Sequence, residues 1–197
     1  MVGGNHSRMP PRRAGRNIGG RIALVGVMKT RNTLKPTTRQ TVAKELIQHV
    51  ANTIDLYSQV KQAHWNVRGT GFHSHHELFD EIAGKLLEHG DEIAERAIQL
   101  GFEVPGSVRA AAKASEMKEY SLLAAGGDAH LAAVADRLAA YGTRIREGID
   151  STDEAGDKAT SDILTGVSQA IDKYLWMVEA HLDDSAGEAT RVVRKSA

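Results

Sequence analysis

From Thr37 onward, apolar side chains recur every three to four positions, the period of an amphipathic helix and not the alternation of a strand. Val42, Leu46, Val50, Ile54 and Leu56 or Tyr57 form one such stripe and predict a long helix from about Thr38 to Val67. Arg68-Gly69-Thr70-Gly71 breaks it. A second long helix is expected from about Ser74 to Leu100, with Gly101 where a helix end favours glycine. Pro105-Gly106 marks a loop, and Ser107 is a natural cap for a short helix reaching Ala114. A third long helix should start at Asp128, a good N-cap, and run to about Ile149. The polar stretch 151–157 then links it to a fourth, from about Lys158 to Asp183. Links this short, except between the second and third helices, specify an all-α, antiparallel four-helix bundle with a short extra helix in the long connection.

Composition narrows the chemistry. The 197 residues include no cysteine, which excludes disulfides, thiolate metal sites, iron–sulfur clusters and cysteine nucleophiles. No apolar run approaches the roughly 18–20 residues of a membrane span, so no membrane partner is expected. The segment IALVGVM, ending at Met28, is too brief and too interrupted by glycine for a secretory signal.

Charge changes the picture further. The chain balances 25 Lys and Arg against 25 Asp and Glu, and neutrality alone argues against a nucleic-acid partner. The distribution argues otherwise. Residues 1–40 hold nine cations and no acid, whereas residues 41–197 carry 16 cations against 25 acids, a net −9. Residues 1–36, rich in Gly and Pro and without helical period, are expected to form a flexible basic tail. Such an arm suits non-specific contact with DNA phosphates, though a solubilising leader has the same composition. Met28 is an alternative start, which would leave Lys29, Arg31, Lys35 and Arg39 as a shorter basic tail. Residues 37–184 are then the bundle and 185–197 a short C-terminal tail with its own basic cluster, Arg191 to Lys195.

The candidate chemistry lies on the second long helix. Measured from His76 at 100° per residue, Asp80, Asp91 and Glu95 fall at about 40°, 60° and 100°, one narrow arc. Asp80 and Asp91 are nevertheless about 16 Å apart along the axis, too far to share an ion within one chain. A two-fold axis between Lys85 and Leu86, with a second copy of the helix running antiparallel, places His76 opposite Glu95 and Asp80 opposite Asp91. The pattern therefore predicts a symmetric dimer carrying two identical metal sites. Gly84 on the same face would allow close approach, and His64, at the end of the first helix, would complete the cluster. Imidazole with carboxylate suits Fe, Zn or Mn; a solvated polar face is the plainer alternative. His73, His75 and His89 are read as surface residues, and Trp65 and Trp176 as core or interface aromatics.

The run KQAHWNVRGTGFHSHHELFD, followed by DEIAERAIQLG and SDILTGVSQAIDKYLWMVEAHL, resembles the Dps family (DNA protection during starvation), the miniferritins. The resemblance covers about residues 37–184, and the Glu-x-x-His motif of larger ferritins does not occur. It implies a ferritin-like fold and a cytoplasmic, nucleoid-associated shell of twelve subunits built from two-fold dimers. It also implies ferroxidase activity: Fe(II) oxidised, preferably by hydrogen peroxide, at di-iron sites between subunits, with ferric iron stored in the cavity. His64, His76 and Asp80 would come from one subunit and Asp91 and Glu95 from its partner, as both metal ligands and catalytic residues. Asp150, Asp153, Glu154, Asp157 and Asp162 would lie near a three-fold entry pore, or simply in a solvated loop. Two alternatives remain beside this: a DNA-condensing protein with little iron oxidation, and a shell holding zinc or manganese structurally.

Overall fold

The computed structural model describes residues 25–122 and 126–183. Its elements, in chain order, are β1 (Val25–Val27), α1 (Pro36–Asn66), α2 (Phe72–Gln99), β2 (Phe102–Glu103), α3 (Val108–Ala114), α4 (Gly127–Glu154) and α5 (Lys158–Leu182). α1 packs on α2 and α4 on α5, each pair joined by a short turn, and the pairs meet mainly through α1 against α4. Phe79, Leu46, Leu56, Ile82, Leu138 and Tyr141 fill the interior and are fully buried. Polar groups share that interior, among them the hydroxyls of Tyr141 and Thr53, which lie 2.6 Å apart, so neither is buried unpaired.

The helix ends explain the boundaries. Ser107 caps α3 as expected, its hydroxyl accepting from the Ala110 N–H at 3.3 Å. α4 begins at Gly127 with no side-chain cap, so Asp128 sits in the first turn instead of preceding it. The helix also continues five residues beyond Ile149, because the Thr152 hydroxyl turns inward and donates to the Gly148 carbonyl at 2.8 Å. The link to α5 is therefore only three residues, and Asp157 caps α5 by accepting from the Thr160 N–H.

Part of the stretch expected to be a flexible tail is held against the bundle. Residues 25–36 are not free: β1 pairs antiparallel with β2, and the Met28 N–H donates to the Gly101 carbonyl at 2.8 Å. The end of α2 recruits this segment because its last carbonyls need donors. The Arg39 guanidinium supplies another, donating to the Leu100 carbonyl at 3.0 Å. Gly101 has φ +91°, and a Cβ there would stand 3.0 Å from the Met28 carbonyl oxygen, so close approach of this strand needs glycine. The rest of the basic tail (1–24) and the C-terminal tail (185–197) lie outside the described residues.

Candidate metal centre

The last turn of α1 and the first turns of α2 stand side by side across the five-residue turn 67–71. That arrangement puts His64 against His76. Each ring donates from Nδ1 to the other's backbone carbonyl, at 2.8 Å from His64 and 3.0 Å from His76, and the rings stack with centroids 3.7 Å apart. A carbonyl only accepts, so Nδ1 carries the hydrogen in both rings. In each neutral imidazole the lone pair is then on Nε2, the arrangement by which backbone carbonyls orient metal-binding histidines.

Asp80 lies one turn beyond His76. Lys61, one turn before His64, donates to its Oδ1 at 2.6 Å and sits 5.9 Å from the Trp65 ring centroid. The Lys61 hydrogen bond holds the Asp80 carboxyl below its usual range, with the Lys61 charge and the two histidines acting in the same direction. Asp80 thus stays anionic beside the imidazoles and already attracts a cation. No sequence periodicity marked Lys61, because its role depends on the turn that brings α1 against α2.

Asp91 and Glu95 are exposed farther along α2. Among the described residues of one chain, no group of three or more His, Asp or Glu side chains is placed to hold a metal ion. Asp91 instead borders an open apolar groove of about 560 Å³ between α1, α2 and α3, lined by residues including Ile54, Leu86, Leu87 and Val108. Leu87 is 53% exposed and Val108 75%. Gly84 faces open space, with nothing within 4 Å of where a Cβ would stand. The donor set fits iron in kind, two imidazole nitrogens with hard carboxylates, and is divided along the helix.

Three expectations change. His75 and His89 are buried, not surface residues, while Trp65 and Trp176, expected in the core or at an interface, are 70% and 67% exposed in the single chain, which removes only the core reading. Asp157 is neither a pore residue nor solvated. It is 2% exposed, and Arg96 binds both its oxygens, at 2.7 and 2.9 Å. Burial raises its pKa, but the Thr160 and Arg96 hydrogen bonds outweigh that, so the net shift is downward.

A four-helix bundle with a short helix in its long connection is the architecture of the ferritin-like class. A family model for the ferritin-like domain matches residues 43–186. The chain is 40% identical over 158 residues to the DNA protection during starvation protein of Agrobacterium fabrum, covering 80% of this chain and 98% of that one. It is 31% identical over 153 residues to the protein of that name from Brevibacillus brevis, covering 76% and 100%. The fold superposes on the tetragonal form of Mycobacterium smegmatis Dps with a TM-score of 0.75, at 29% identity over 79% of this chain and 93% of that one. Against Vibrio cholerae Dps, described as a member of a broad superfamily of ferritin-like diiron-carboxylate proteins, the TM-score is 0.72 at 28% identity, covering 81% and 100%. The chain belongs to the Dps family of ferritin-like proteins.

Proposed function

We propose that this protein is a ferroxidase and iron store whose centres are shared between two copies of the chain. His64, His76 and Asp80 of one copy and Asp91 and Glu95 of the other bind two Fe(II) ions as substrate. The carrying observation is the reciprocal His64–His76 pair, which presents Nε2 of both rings beside an ionised Asp80. Iron is the metal this reading assigns, supported by the Vibrio cholerae relative's description as a member of a superfamily of ferritin-like diiron-carboxylate proteins. Hydrogen peroxide is the oxidant: each Fe(II) gives one electron, the O–O bond breaks and takes both, and two protons complete two water molecules. The carboxylates favour the higher charge of the product, and the imidazoles hold the ions during transfer. Twelve subunits enclose the ferric product, and the symmetric dimer is the unit of that shell.

Replacing Asp91 and Glu95 by Ala should slow peroxide-driven Fe(II) oxidation more than about 100-fold, beyond the usual cost of losing an outer-shell partner. Their exposure keeps the fold intact. Wild-type kinetics in that variant would refute the ligand assignment.

The same protein contacts DNA in the cytoplasm through its cationic N-terminal stretch, supported by nine cations and no acid in residues 1–40. DNA retardation should be independent of sequence and weaken steeply with salt. Salt-insensitive retardation would exclude the basic stretch as its cause. DNA condensation with little iron oxidation is the second reading, and the kinetics above decide against or for it.

A further inference from the structure

Where His76 faces α1, its neighbour His75 faces the starts and ends of the other pair, α4 and α5. The His75 ring is only 6% exposed and is seated between two glycines from different elements. A Cβ on Gly71 would stand 2.9 Å from His75 Cε1 and Nε2, and one on Gly127 would stand 3.1 Å from Nδ1. Both positions leave room for the imidazole, yet its buried Nδ1 has no hydrogen-bond partner. An orphaned polar atom in so enclosed a seat calls for a ligand or an explanation.

The ring meets His181 in the last turn of α5. His181 donates from Nδ1 to the Met177 carbonyl at 2.8 Å, which leaves the lone pair of its neutral ring on Nε2. The two ring centroids are 5.1 Å apart with an interplanar angle of 77°. Two imidazoles bound to one tetrahedral ion through M–N bonds of about 2.0–2.1 Å have centroids about 5 Å apart. Asp128, in the first turn of α4, adds negative charge near His75, and exposed His181 leaves the remaining coordination positions to water.

We infer that His75 and His181 form a second metal site in each subunit, a two-imidazole site for a borderline divalent cation, Zn(II) foremost. It is distinct from the centre shared between copies and does not rest on the oxidation reading. Its donors are nitrogen-rich where that centre is carboxylate-rich, and nitrogen donors suit zinc better than they suit magnesium, calcium or manganese. An ion there ties the end of α5 to the start of α2.

The test is a crystal of the full chain soaked in zinc chloride, with diffraction recorded on both sides of the zinc edge. An anomalous peak between the His75 and His181 imidazoles is expected. In solution, zinc titrated against a chromophoric chelator should reveal, beside zinc taken by the shared centre, a site of one ion per chain that His181→Ala weakens at least about tenfold. His181→Phe, which keeps a ring against His75, should weaken it equally. Absence of the peak, or titrations unchanged in both variants, would overturn the assignment and leave the pair an edge-to-face packing contact.

Discussion

His64 and His76 are locked onto each other's backbone at 2.8 and 3.0 Å, whereas Asp91 and Glu95, on the same face of α2, stand exposed with no side-chain hydrogen bond among the described residues. Side chains fixed within the chain and side chains left free differ in what they still need. The histidine end is ordered within the chain because the turn between α1 and α2 closes it. The carboxylate end has no such closure, and beside it runs an uncovered apolar groove. An ordered half beside an unfinished half is what a site assembled between two copies requires. It also keeps the carboxylates available for a cation instead of spending them on internal ion pairs.

The backbone beneath the free carboxylates is nonetheless firmly held, through Arg96 next to Glu95. Breaking its buried pair by Asp157→Ala should destabilise the fold by about 3–5 kcal/mol, read by denaturant unfolding. Because the Asp157 pKa is depressed in the folded state, its contribution is present above the unfolded value of about 3.9 and lost as pH falls through the lower folded value. The gap between wild type and Asp157→Ala should therefore narrow in acid. A gap independent of pH would show that packing, not the charge pair, holds α2 to α5.

A smaller effect is expected at the histidine end. Lys61→Met frees Asp80 from a competing cation and should tighten Fe(II) binding by no more than about fivefold, since exposed ion pairs are weak. Weaker binding would mean that Lys61 positions Asp80 and does not compete for it.

The long helices were legible because buried faces of 25 to 31 residues repeat their pattern many times. β1 and β2, at three and two residues, are too short to carry a period, and their pairing depends on α2 ending at Gly101. The extension of α4 through Thr152 was hidden because a polar residue that bonds back to its own helix looks like a linker. The alignment of His76, Asp80, Asp91 and Glu95 follows from helix geometry alone. The reciprocal histidine bonds, the Lys61–Asp80 pair and the burial of His75 do not, since each joins residues across different elements.

The central claim is that each metal centre takes its histidines from one copy and its carboxylates from another. Mixing two inactive variants tests it most directly: His76→Ala, and Asp91→Ala with Glu95→Ala, unfolded together and refolded into joint assemblies. A mixed dimer then contains one complete centre and one doubly damaged one. Random pairing should restore about a quarter of wild-type peroxide-driven oxidation, whereas each variant refolded alone stays inactive. Mixed assemblies as inactive as their parents would contradict the claim, because a centre built within one chain is not repaired by a neighbour.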